Sequence, residues 1–199
     1  METENDIQRI QDQQLVRAIL AGQPHAFRQL IARTEKLVAS MLFRMIPVAD
    51  DRKDIAQDVY LKVHQGLRSF KFQSKLSTWI AQIAYNTCLN HLAKKRPILM
   101  ERFFEQTDDD PAATLTQQQE NQTERRLFER ELKQTIEKAT SQLSPLHQTL
   151  ISLYYQQEMT LQEIAKITDL PEGTIKSYLF RARQQLKTIL IRYQKKEEL

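Results

Sequence analysis

Apolar residues recur along most of the chain at spacings of three and four, which places them on one face of an α-helix. Leu15, Ile19 and Leu20 form such a face over 12–21, and Gly22 then suits the left-handed residue that ends a helix. After Pro24 the period runs through Phe27, Leu30, Ile31, Leu37, Val38, Met41, Leu42 and Met45 to Pro47. Ile55, Val59 and Val63 predict a third helix over about 51–67, with Gly66 near its end. Residues 69–77 read as a loop, and a long helix over about 78–95 follows, closed by Pro97. These elements predict a four-helix first domain, residues 1–96.

The period fades over 97–124, where Asp108-Asp109-Asp110-Pro111 and Gln117-Gln118-Gln119 predict an extended or partly disordered linker. A second domain, 125–199, opens with Leu127, Leu132, Ile136 and Ala139 at helical spacing. Ser144-Pro145 then reads as an N-cap followed by proline at the first helical position, with Leu146, Leu150, Leu153 and Tyr154 as the apolar stripe. Thr160-Leu-Gln-Glu163 is a capping box that starts a short helix carrying Ile164, Ala165 and Ile167. The turn Asp169-Leu-Pro-Glu-Gly173 leads to a longer basic helix from about Thr174, and Asp169 can visit the left-handed region. A short helix, a tight turn and a basic helix make a helix-turn-helix pattern, although any helical hairpin can imitate it.

A helical wheel divides the last helix. At about 100° per residue, Ile175, Leu179, Ala182, Leu186 and Ile189 fall within about 80° of one another and form the core face. Ser177, Phe180, Gln184 and Lys187 lie opposite, flanked by Lys176 and Arg181. Phe can pack on a thymine methyl, Arg can pair with guanine, and Lys and Ser can hold phosphates or bases. On the 78–95 helix, Ile80, Ile83, Ala84 and Thr87 mark a buried face. Trp79, Asn86 and Asn90 form another stripe beside Gln82. That stripe fits stacking on unpaired bases. Its alternative is a half-buried tryptophan beside solvated amides.

Composition narrows the class. With 3 Gly and 6 Pro in 199 residues, the chain lacks the turn signals that all-β folds need, and with 41% apolar residues it is no wholly disordered polymer. The prediction is an all-α protein of two small domains. The net charge of +4 is unevenly distributed. Six Lys/Arg and no Asp/Glu lie between 68 and 96, and seven and none between 174 and 196, while 98–124 carries seven acids and one base. Two basic blocks around an acidic spacer predict a polyanion touched at two places. Cys88 is the only cysteine, the N-terminus is polar and no apolar run spans a membrane, so a reducing cytoplasm is expected. His25, His64, His91 and His147 lack metal-ligand spacing and there is no Gly-rich phosphate loop. We therefore expect no cofactor, no metal, no small-molecule substrate and no enzyme.

The string Phe70-Lys71…Thr78-Trp79-Ile80…Ile83-Ala84-Tyr85-Asn86-Thr87, ending in Lys94-Lys95-Arg96-Pro97, resembles region 2 of extracytoplasmic-function sigma factors of bacterial RNA polymerase. Leu143-Ser-Pro…Thr160-Leu-Gln-Glu-Ile-Ala…Pro171-Glu-Gly-Thr-Ile-Lys-Ser-Tyr-Leu-Phe-Arg-Ala-Arg183 resembles region 4. The resemblance implies that region 2 binds the polymerase clamp and opens and reads the −10 element, while region 4 reads the −35 element. It assigns Asp51, Asp54, Gln57, Asp58 and Leu61 to the polymerase, although acids near a helix start also have a purely local reason. It assigns Phe70, Lys71, Lys75, Ser77, Trp79, Gln82, Asn86, Asn90 and Lys94 to −10 DNA. Lys176, Ser177, Phe180, Arg181, Arg183 and Gln184 fall to −35 DNA. Core polymerase, promoter DNA and an anti-sigma factor, often membrane-bound, are the implied partners. Tyr178 and Asn90 stand where many relatives have Arg and Asp. The rival is a stand-alone helix-turn-helix regulator on an operator.

Overall fold

The structure, a computed structural model, describes residues 2–95, 103–104 and 124–197. Helices α1 (Glu2–Leu20), α2 (Pro24–Met45), α3 (Ala49–Gly66) and α4 (Leu76–Lys95) build the first bundle. A 3₁₀ turn at Leu67–Ser69 follows α3. The second part contains α5 (Glu124–Ser141), α6 (Pro145–Ile151) with a π turn at Ser152–Gln156, α7 (Leu161–Thr168) and α8 (Glu172–Glu197). No strand occurs among the described residues.

Local chemistry explains most boundaries. Gly22 adopts φ +78 after α1, as a C′ glycine does. The Ser144 hydroxyl accepts the His147 amide ahead of α6, with Pro145 in its first turn. Thr160 and Glu163 form the complete capping box of α7, and Asp169 ends that helix at φ 58, ψ 24. Asp169 is the left-handed residue its position in the turn requires, and the short polar side chain keeps that conformation cheap.

Three expectations need correction. Helix α1 begins at Glu2, not near Asp12, and continues through a stretch where Ile7 and Ile10 remain exposed. With residues 6–11 all exposed, that stretch leaves no periodic signal. Asp12 instead sits within α1, buried, and its carboxylate accepts the Leu76 amide at 3.1 Å. It therefore caps a different helix, α4, across 64 positions of sequence. Tyr154, expected in the apolar stripe of α6, is exposed, because the π turn changes the register after Ile151. The segment expected as extended linker includes Phe103 and Phe104, which are helical, with Phe103 buried against Tyr85. The other residues from 96 to 123 lie outside the described residues.

The core is one continuous cluster running through both parts. Leu30, Met41, Ile55, Val59 and Val63 pack with Ile80 and Ala84 in the first, while Leu146, Leu150, Ile164, Ile175 and Leu179 fill the second. Between them stands α4, which packs on α2 and α3 and also on α7. The expected buried stripe of α4 is present, with Ile83 only half-buried. Thr78, Ala81, Tyr85 and Cys88 are buried as well, on other sides of the same helix. Replacing Asp12 by Ala would strand the first amide of α4 and remove a negative charge from its positive end, at a cost of about 1–2 kcal/mol. Urea denaturation should show a lower midpoint with an unchanged slope.

Candidate nucleic-acid interface

The outward stripe of α8 has the form its sequence predicts. Ile175, Leu179 and Ala182 are buried and Leu186 and Ile189 half-buried, while Lys176, Ser177, Phe180, Arg181, Arg183, Gln184 and Lys187 are exposed. Phe180 is 56% exposed, a large aromatic standing in solvent between cations. Ile164 and Ile167 of α7 are buried, and α7 packs against α8 as the first helix of the motif. Half-buried Ala165 carries on its carbonyl the hydrogen bond from the Asp169 amide that closes the turn.

Beneath this stripe lies a relay that the sequence did not announce. The Arg181 guanidinium sits 4.7 Å above the Tyr178 ring, and its Nε donates to Ser177 O at 3.4 Å. Tyr178 in turn packs on the His147 ring, centroids 5.6 Å apart, and His147 Nδ1 lies 3.2 Å from Gln185 Oε1. Tyr178 is thus a half-buried support for Arg181. Burial holds the His147 pKa below its ordinary value; the Gln185 hydrogen bond opposes this and the Arg181 charge adds to it.

In the first domain the loop 70–75 is held by aromatic contacts. Phe70 packs on Phe72 and on Trp79, with centroids 4.7 and 4.8 Å away. Phe72 has φ 55, unusual for a bulky residue, and this stacking holds it there. A Cβ at Gly66 would meet Trp79 Cζ2 at 3.0 Å, so glycine lets the indole lie against the end of α3. Trp79 is therefore the half-buried residue that the alternative reading gave, and Phe70, Ser77 and Gln82 are half-buried too. Lys71, Asn86, Asn90 and Lys94 are exposed, so the amide stripe of α4 is open along one side. Lys75 is exposed but paired, its Nζ 3.2 Å from Glu163 Oε1.

On α3, Asp54, Gln57, Asp58 and Leu61 point outward, with Leu61 57% exposed. Asp51 is drawn inward, where its Oδ2 lies 3.2 Å from His91 Nε2. Cys88 is buried and its thiol is pushed up to about 12, chiefly by burial, so it is not a thiolate at neutral pH. No cluster that could hold a metal and no helix long and apolar enough to cross a membrane occurs among the described residues.

The His147 shift has a consequence for stability. The unfolded chain titrates this ring near the ordinary value of about 6.5, whereas the folded chain takes up the proton only at lower pH. The unfolded state therefore binds more protons below about pH 6.5, and stability falls as pH drops through that window. Urea titrations of wild type and His147→Gln should show a stability difference that changes between about pH 7 and 5.5. A level difference would refute this role of His147.

Residues 30–98 match the family model described as Sigma-70 region 2, and residues 133–186 match Sigma-70, region 4. RNA polymerase sigma-H factor of Pseudomonas aeruginosa is 28% identical over 182 residues, 90% of this chain and 94% of the relative. The ECF RNA polymerase sigma-E factor of Escherichia coli is 29% identical over 181 residues, with 90% and 94% covered. Among solved structures, the sigma factor RpoE of Bartonella quintana, crystallised with the anti-sigma factor NepR, is 21% identical with a TM-score of 0.62. The match covers 82% of this chain and 96% of that one. CnrH in complex with the cytosolic domain of CnrY is also 21% identical, with a TM-score of 0.58 and 90% and 96% covered. With both regions matched in order and the two-part helical fold in place, the chain belongs to the sigma-70 family, as a sigma factor of the extracytoplasmic-function type.

Proposed function

We propose that this sigma factor binds core RNA polymerase and directs it to promoters by reading −35 duplex with one domain and −10 single-stranded DNA with the other. The observation that carries the reading is the two-sided α8, with Ile175, Leu179 and Ala182 buried and a stripe of Lys176 and Arg181 with the aromatic Phe180 outward. A helix so placed in a helix-turn-helix can enter the major groove, with Lys176, Ser177, Arg183 and Gln184 available for phosphates and base edges beside Arg181. Arg181, supported from below by Tyr178, suits a bidentate contact to guanine.

The first domain supplies the other half of the task. Asn86 and Asn90 offer amide hydrogen bonds to a base leaving the stack, Trp79 and Phe70 a hydrophobic wall, and Lys71, Lys75 and Lys94 phosphate contacts. Contacts to the extruded base offset the few kcal/mol of unstacking. Asp54, Gln57, Asp58 and Leu61 form an exposed acidic and apolar stripe on α3 for the polymerase clamp. Asp51 contributes at one remove, by tying α3 to α4 through His91. The domains divide at the proposed linker 97–124, and a cognate anti-sigma factor holds the chain until polymerase takes it. The site of action is the cytoplasm, where polymerase meets the chromosome.

Transcription from a promoter library with added core polymerase tests the whole reading: run-off product that needs both components is expected. Binding to an operator with no polymerase-dependent transcript would instead favour a stand-alone regulator. Arg181→Ala should cost about 1–3 kcal/mol of discrimination at one −35 position, measured by competition between intact and altered promoters. Asn86→Ala should slow open-complex formation, followed by permanganate reactivity of unpaired thymines, more than it weakens initial promoter binding. Equal losses in both steps would remove Asn86 from base capture.

A further inference from the structure

The outward stripe of α8 borders a second line of residues that is neither core nor open surface. At about 100° per residue, Tyr178, Arg181 and Gln185 fall within about 60° of one another. Tyr178 and Gln185 are half-buried, whereas Arg181 is exposed. His147, only 1% exposed, enters this line from α6 and touches both half-buried members. Its ring packs on Tyr178 with centroids 5.6 Å apart, and its Nδ1 lies 3.2 Å from Gln185 Oε1. An amide oxygen only accepts, so Nδ1 carries the proton and a directed bond orients the ring. The backbone of His147 is tied down too, its amide donating to the Ser144 hydroxyl at 3.4 Å.

We propose that Tyr178 and His147 determine −35 specificity from beneath the reading surface, as positioning residues that hold the Arg181 guanidinium ready for one base. The proposal rests on the reading of Arg181 given above. A free arginine side chain samples many rotamers, and binding has to select one of them. Here much of that selection is already made. The Tyr178 ring lies 4.7 Å from the guanidinium carbon, and Ser177 O accepts from Nε at 3.4 Å. The bond to Ser177 O occupies the side edge of the guanidinium. Its end edge, Nη1 and Nη2, is left for guanine O6 and N7.

Such a hold raises discrimination more than overall affinity. Phosphates line the whole backbone and offer oxygens in several directions, whereas a guanine edge offers O6 and N7 in one place. A guanidinium kept in one place therefore gains most at the base. His147 acts as the brace of this arrangement. Tyr178 cannot swing from beneath Arg181 without giving up its packing on His147. Burial keeps the His147 pKa low, so the ring is neutral at neutral pH and sets no second cation under Arg181.

Holoenzyme assembled from core polymerase and each full-length variant tests the proposal. A promoter competes with copies altered at single −35 positions, and a promoter-free duplex measures non-specific binding. Arg181→Ala identifies the position that Arg181 reads. At that position Tyr178→Leu, which keeps apolar bulk but has no ring, should lower the discrimination ratio about two- to fivefold. Tyr178→Phe, which keeps the ring, should match wild type. Binding to the promoter-free duplex should change little in either variant. His147→Leu should lower the ratio at the same position, by less than Tyr178→Leu. Once Arg181 is Ala, Tyr178→Leu should have no further effect there, because the ring acts only through the guanidinium.

The outcomes separate the two layers of the argument. A loss in Arg181→Ala with none in Tyr178→Leu, or an equal loss in Tyr178→Leu and Tyr178→Phe, overturns the positioning role and leaves Arg181 as a reader. A loss spread evenly over all −35 positions, as from a loosened fold, overturns it too. No change at any position in Arg181→Ala overturns the reading of Arg181 and the proposal with it. An unchanged ratio in His147→Leu overturns the part assigned to His147.

Discussion

The structure turns on how α4 is surrounded. At about 100° per residue, Thr78 and Tyr85 lie nearly opposite Ile80 and Thr87 on the same helix. The first pair meets the second domain and the docked Phe103, while Thr87 receives Lys62 of α3 and Ile80 is fully buried. Ala81, Ala84 and Cys88 close a third side. What stays open is one narrow stripe with Asn86, Asn90 and Lys94. A helix buried on so much of its circumference cannot rotate or shift without losing packing on several sides. The amides proposed for unpaired bases, Asn86 and Asn90, are fixed in place for that reason.

The same constraint explains the N-terminal cap. An α4 held this tightly still needs its first amides satisfied, and the 70–75 loop before it is taken up by the Phe70, Phe72 and Trp79 cluster. Asp12 from α1 supplies the acceptor, with Gln8 donating to its other oxygen at 3.0 Å. The exposed stretch of α1 around Ile7 and Ile10 therefore extends from a segment whose buried half, with Asp12, positions α4.

Much of this was legible in the sequence because it is written locally. The capping box at Thr160–Glu163, the left-handed Asp169 and the division of α8 each depend on residues within a few positions of one another. Long-range partnerships left no such trace. Glu163 read only as a cap, since nothing within α7 indicates Lys75, 88 positions earlier. Tyr178 stood out only as a departure from the Arg of many relatives, because its support of Arg181 depends on His147 lying beneath it. Trp79 read as either exposed or half-buried, and the room left by Gly66, 13 positions away, decided the matter. The π turn that exposes Tyr154 breaks the very period from which burial was inferred.

Glu163 shows how one carboxylate can serve both the fold and a reversible contact. Its Oε2 accepts the Thr160 amide at 2.9 Å and the Thr160 hydroxyl at 3.0 Å, which completes the start of α7. Its Oε1 faces away to Lys75 and Thr78. Burial alone would raise its pKa, but the Thr160 and Lys75 interactions outweigh that and hold it below the ordinary carboxylate value, so it stays charged at neutral pH. Because the two oxygens do separate work, separating the domains breaks only the Oε1 contacts and leaves the helix cap intact. The start of α7 therefore does not depend on the first domain for its cap.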